Sequence, residues 1–151
     1  GVMVNWRTPL KEMPIGKGKT IQEGKDIAIL SIGTAGNLAI DAVKKLKEEN
    51  INIGLYDMRF VKPIDEDILH QVCKQYKKII TVEDGTIVGG FGSAVLEFIA
   101  KFNYDISVSM LGMPDSIVEH GEQPELYKEC GYDANSIIKN VKKLLLGKVL
   151  I

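Results

Sequence analysis

Four short apolar runs, each followed by a turn and most then by apolar residues at helical spacing, leave this chain few folds to adopt. The first is Asp26-Ile27-Ala28-Ile29-Leu30-Ser31-Ile32, which ends in Gly33-Thr34-Ala35-Gly36. Leu38, Ala39, Ala42, Val43 and Leu46 then recur on one helical face. Ile51 to Met58 supplies a second strand, so the opening unit is strand, helix, strand, a parallel pair that is right-handed in nearly all proteins. Asp65, after Pro63, is placed to cap a helix carrying Ile68, Leu69, Val72, Cys73 and Tyr76, with Glu66 and Asp67 favourably in its first turn. A third strand is expected over Lys78 to Val82 and a fourth over Ile106 to Leu111. Between them a helix starts near Gly90 and uses Ala94, Val95, Phe98, Ile99 and Phe102.

This alternation defines an α/β fold, a three-layer α/β/α sandwich around a mostly parallel sheet of about five strands. Lys19 to Gln22 is the candidate for an antiparallel edge strand. Two more helical segments close the chain, one from Pro124 to Cys130 and one from Asp133 to Leu146, whose stripe of Ile137, Ile138, Val141, Leu144 and Leu145 should dock on the sheet. Residues 1–19, with Pro9, Pro14, Gly16 and Gly18 and no periodicity, read as an interdomain arm; Trp6 and Met13 are apolar there and need a surface to lie on. Residues 20–151 read as the folded domain, and a chain of 151 residues is long enough for one core.

Charge and cysteine content narrow the function. Nineteen basic against twenty acidic residues give a net charge of -1, which offers no footprint for nucleic acid. The two cysteines, Cys73 and Cys130, lie far apart with no Cys-x-x-Cys spacing, as in a reduced, cytoplasmic protein. No apolar run approaches the ~18 residues of a membrane span, so no membrane partner is expected. His70 lies mid-helix and reads as a surface residue, and Lys142-Lys143 as a solvated helix face.

In an open α/β sheet, sites gather beyond the carboxyl ends of the strands. Here those ends carry Gly33-Thr34, Asp57-Met58-Arg59, Glu83-Asp84-Gly85 and Gly112-Met113-Pro114-Asp115. The richest stretch is Thr81 to Val95, which passes from strand through acids and glycines into a helix. Gly89-Gly90-Phe91-Gly92 matches neither the dinucleotide fingerprint nor a P-loop. It permits either an anion at the helix start or close helix–sheet or domain packing. Asp57, Glu83 and Asp84 together are a conceivable metal or acid–base set; the simpler reading pairs Arg59 with one acid and leaves the others as caps or in water. His120 sits in a loop where an imidazole is available for acid–base work, substrate contact or an interface. Ser93 and Ser116 are in no nucleophile elbow. No complete catalytic set emerges.

Pro14-Ile15-Gly16-Lys17-Gly18, Tyr56-Asp57-Met58-Arg59-Phe60-Val61-Lys62-Pro63-Ile64-Asp65, Thr81-Val82-Glu83-Asp84 with Gly89-Gly90-Phe91-Gly92-Ser93, and Gly112-Met113-Pro114-Asp115 with His120-Gly121 together resemble the C-terminal domain of the 1-deoxy-D-xylulose-5-phosphate synthase family. These are transketolase-like thiamine diphosphate enzymes. Transketolases and the β subunits of 2-oxo acid dehydrogenases are similar more loosely. The resemblance implies a full-length homodimeric enzyme that uses thiamine diphosphate and Mg2+ to decarboxylate pyruvate and pass the two-carbon unit to glyceraldehyde 3-phosphate. It places the cofactor site in domains preceding this one and implies that this fragment, inactive alone, supports domain and dimer packing. It carries no catalytic or metal residue onto this chain. Gly33, Thr34, Arg59, Glu83, Asp84, Gly89, Gly90, Gly92, Ser93, Asp115 and His120 are the candidates for interface or anion contacts. The rival expectation is a stand-alone module that holds an anion or nucleotide at the Gly33–Gly36 and Gly90–Gly92 helix starts.

Overall fold

The computed structural model describes residues 11–147; Gly1 to Leu10, with Trp6, and residues 148–151 lie outside the described residues. The elements run β1 (Lys19–Gln22), β2 (Ile27–Ser31), α1 (Ala35–Glu48), β3 (Gly54–Asp57), α2 (Glu66–Gln75), β4 (Lys78–Thr86), α3 (Phe91–Lys101), β5 (Ser107–Met113), α4 (Gln123–Glu129) and α5 (Ala134–Leu145). They build a five-stranded sheet in the order β1-β3-β2-β4-β5. The pairs β2/β3, β2/β4 and β4/β5 are parallel, and β1 runs antiparallel to β3 at the edge.

Each strand divides its side chains between two cores, as its period of two requires. Ile27, Ile29, Leu55, Ile80 and Val82 face a layer that includes Ala39, Val43 and Leu46 of α1 with Ile137 and Val141 of α5. Ala28, Leu30, Tyr56 and Ile79 face the opposite layer, with Leu69 and Val72 of α2 and Val95 and Phe98 of α3. Because both faces are covered, β2 is buried along its whole length, and its sequence is correspondingly apolar rather than alternating.

The strands differ from their expected spans at the ends. β3 starts only at Gly54, because Ile51 N–H is used to close the end of α1 on Leu46 O at 2.9 Å. β4 runs past Val82 to Thr86, through a register break in which Val82 pairs with Leu111 but Thr86 with Met113. Before that break the alternation of the strand continues, so Glu83 faces α3 and Asp84 faces the α1 side.

Asp65 caps α2 as its sequence position predicts. Its Oδ1 accepts from Asp67 N at 3.1 Å and Ile68 N at 3.2 Å, and its Oδ2 accepts from Gly18 N at 2.9 Å. One buried carboxylate therefore starts a helix and fastens the described part of the arm, where Lys17 also bonds Asp67 at 2.5 Å. His70 is not the surface residue expected from its mid-helix position. Its ring lies half-buried between those of Phe98 and Phe102, with centroids at 4.8 and 4.5 Å, and Nδ1 is 2.8 Å from the Tyr104 hydroxyl. Those partners come from α3 and the turn after it, so only the α2–α3 packing reveals them.

Replacing Asp65 by Ala removes the cap and leaves Gly18 N–H without its partner, which should lower stability by about 2 kcal/mol in urea denaturation. Burial pushes the Cys73 thiol up to about 11 and also raises the Tyr56 hydroxyl. The folded state then holds protons that the unfolded chain releases, so stability should be full below about pH 9 and fall as the pH rises towards about 11. Melting temperatures across that range should show a shallower decline in Cys73→Ala than in the parent.

Candidate functional site

The carboxyl ends of the parallel strands and the starts of α1, α2 and α3 share one rim, and Glu83 is its centre. The residue is 5% exposed. Oε2 accepts from Phe91 N at 2.7 Å and Oε1 from Gly92 N at 2.8 Å. The N-cap of α3 is Gly90, which has no side chain to satisfy these amides, so a carboxylate from the preceding strand does so. The glycines make room for it. A Cβ on Gly90 would strike Thr86 O and the Glu83 carboxylate, and one on Gly92 would come within 2.7 Å of Thr81 Oγ1. Ser93 Oγ donates to Ile87 O at 3.0 Å and accepts from Gly89 N at 2.9 Å, which closes the loop. Of the interface or anion contacts expected at Gly89, Gly90, Gly92 and Ser93, the amide of Gly92, with that of Phe91, is engaged by the protein's own acid.

Asp84 turns to the other layer. It accepts from Thr34 Oγ1 at 3.0 Å and from the Tyr132 hydroxyl at 2.8 Å, with the Tyr127 hydroxyl at 3.5 Å. One acid thus joins the start of α1, where Gly33 has φ +64°, to α4 and to the turn before α5. Burial first raises both tyrosine hydroxyls, and Asp84 adds to it, through its charge at Tyr127 and through its hydrogen bond and charge at Tyr132. Tyr127 and Tyr132 were not singled out from the sequence; aromatic residues in tail helices carry no signal of which rim acid they reach.

Arg59 takes Asp57 as its acid partner. Its N–H donates to Asp57 Oδ1 at 3.2 Å and its Nε to Oδ2 at 3.5 Å, and its φ of 60° is in the left-handed region. Asp115 and His120 are exposed, and neither makes a side-chain hydrogen bond or ion pair among the described residues. Asp57, Glu83 and Asp84 serve three separate partner sets. Among the described residues no group of three or more His, Cys, Asp or Glu side chains converges as metal ligands would. The residues present do not fit a bound diphosphate and its divalent metal at the α3 start, since the amides that would meet phosphate oxygens already hold Glu83.

An antiparallel edge strand, four parallel strands and glycine-cleared helix starts along one rim are the features of a transketolase C-terminal domain. The chain belongs to that family, described as "Transketolase, C-terminal domain", whose profile matches residues 16–137. Its relatives include the 1-deoxy-D-xylulose-5-phosphate synthases of Cytophaga hutchinsonii, 60% identical over 95% of this chain, and Parabacteroides distasonis, 52% identical over 95%. The chain spans 23% of the length of each of these two relatives. Among solved structures, a split-gene transketolase described as an inactive beta4 tetramer superposes with a TM-score of 0.80 at 32% identity, covering 88% of this chain and 43% of that one.

Glu83→Ala should lower stability by about 3 kcal/mol, because two amides at a buried helix start lose a charged acceptor. Glu83→Gln, which keeps the shape but turns an NH2 group towards one amide, should fall between the two. Equilibrium unfolding of the three proteins checks the order.

Proposed function

We propose that this chain is the C-terminal domain of a 1-deoxy-D-xylulose-5-phosphate synthase, with residues 1–19 as the interdomain arm and 20–151 as the folded unit. In this reading it packs against the preceding domains and a second protomer of a cytoplasmic homodimer and is inactive alone. The observation that carries the reading is the 60% identity to a synthase along nearly all of this chain but only 23% of that enzyme. The full-length protein would condense pyruvate with glyceraldehyde 3-phosphate, with loss of CO2. Thiamine diphosphate and Mg2+ would supply the chemistry from a site outside these residues.

The rim supports a packing role. Glu83 and Asp84 are engaged within the domain, Glu83 by the first amides of α3 and Asp84 by Thr34 and Tyr132. Its loops instead expose apolar side chains: Val61 after β3, Val88 after β4 and Ile117 after β5, at 42%, 60% and 97%. Met13 and Ile15 of the arm are exposed as well, and Gly16 lies against Pro63 of the same rim. Exposed apolar groups gathered at one end of a domain mark a surface that another protein surface covers. The anion-module alternative is weakened by the Glu83 carboxylate at one of its two helix starts.

Two measurements test this. The natural gene product, detected in host lysate with an antibody against this chain, should be several times heavier than 16.7 kDa and should form 1-deoxy-D-xylulose 5-phosphate, whereas the isolated chain should not. A natural product of about the chain's own mass, or synthase activity from the chain alone, would overturn the reading. Ile117→Asp and Val88→Asp should leave the isolated chain's stability within about 0.5 kcal/mol yet lower activity of the full-length product; unchanged activity would remove the rim from the packing surface.

A further inference from the structure

Asp84 is followed by Gly85, and nowhere else in the chain does a glycine follow an aspartate or an asparagine. The side-chain carboxyl carbon of an aspartate can close a five-membered ring on the amide nitrogen of the next residue. Glycine in that place hinders the closure least, because it has no side chain and the freest backbone. Three features of the fold favour the closure at Asp84. The residue is exposed, so water reaches it. The register break of β4 against β5 falls between Val82 and Thr86, so Asp84 and Gly85 lie outside the regular ladder. The space beside Gly85 is open, since a Cβ there would meet only Glu83 Oε2, at 3.6 Å. Hydrogen bonds oppose it: Tyr132 holds Oδ1 at 2.8 Å, and Thr34 holds Oδ2 at 3.0 Å with Tyr127 at 3.5 Å.

We propose that Asp84 is a site of spontaneous isoaspartate formation, and that the Thr34 and Tyr132 hydroxyls set its rate by anchoring the carboxyl group against the rotation that ring closure needs. The Gly85 nitrogen attacks Cγ of the protonated carboxyl. The N–Cγ bond forms, the bond from Cγ to the hydroxyl oxygen breaks, and that hydroxyl leaves as water with the amide proton. Water then opens the ring. Opening at Cγ restores aspartate, whereas opening at the main-chain carbonyl carbon leaves the backbone running through Cβ and Cγ. A water leaves and a water enters, so nothing is oxidised or reduced and no co-reactant beyond solvent is required. The product lengthens the β4 backbone by a carbon and moves the carboxylate onto Cα. Thr34, Tyr127 and Tyr132 then lose the acceptor that ties α1, α4 and the turn before α5 to this strand end. The step needs only this chain and water, whichever larger protein the chain serves.

The folded chain, kept for several weeks in warm, mildly acidic buffer and then mapped by electron-transfer mass spectrometry of its peptides, tests the proposal. Isoaspartate at position 84 should form several-fold faster in Thr34→Val and in Tyr132→Phe than in the parent, and fastest in the double variant. Gly85→Ala, which leaves the hydroxyls untouched, should nearly stop it. Asp115, exposed and followed by Ser116, is an internal clock whose rate should be the same in every variant. Asp65→Ala, which destabilises the chain at the arm contact instead, should leave position 84 at the parent rate and so separates local release from global unfolding. Circular dichroism confirms that each variant is folded. Isoaspartate absent from position 84 in both the parent and the double variant would overturn the proposal. So would hydroxyl variants no faster than the parent, or an acceleration that Asp115 or Asp65→Ala matches.

Discussion

A single carboxylate decides how the sheet and the glycine-rich loop fit together. Glu83 leaves the end of β4, enters the layer of α2 and α3, and there accepts the first two amides of α3. A buried acid without partners would be costly, and a helix start without acceptors would be costly too; placed together they satisfy each other. The glycines on either side of Phe91 follow from this. Gly90 and Gly92 stand where any Cβ would meet the carboxylate, Thr86 O or Thr81. The loop that looks from its sequence like a ligand cradle is filled by the domain itself.

The neighbouring acid has the complementary role in the other layer. Asp84 collects hydroxyls from Thr34, Tyr132 and Tyr127, so the C-terminal helices are tied to the same strand end that starts α3. The period-two alternation of β4 lets consecutive residues serve opposite faces, Glu83 towards α3 and Asp84 towards Thr34 and Tyr132. With Asp65 fastening the arm to the start of α2, three acids hold the rim together. Among the residues left exposed there are the apolar side chains Val61, Val88 and Ile117 together with the polar Asp115 and His120.

The fold was largely readable from the chain because burial on both faces imposes continuous apolar strands, and each helix imposes its own period. Asp65 and Asp133 were readable as caps because capping is a local relation over two or three residues; Asp133 accepts from Asn135 N and Ser136 N as its position predicts. The candidate site was readable only as a set of strand-end residues. Arg59 did pair with an acid, Asp57, two residues away. Glu83 and Asp84 were visible as acids, but nothing in their order says that one caps α3 while the other gathers tyrosines from over forty residues away.

His70 shows the same boundary from the other side. Its position within α2 was correct and its environment was not, since Phe98, Phe102 and Tyr104 reach it only when α3 packs alongside. Periodicity, capping and composition thus determined the α/β alternation and the helix starts. The tertiary structure decided which acid meets which donor, whether the glycine loop is open or filled, and where apolar surface is left uncovered. These depend on contacts between segments far apart in the chain, and local sequence rules carry no term for such distances.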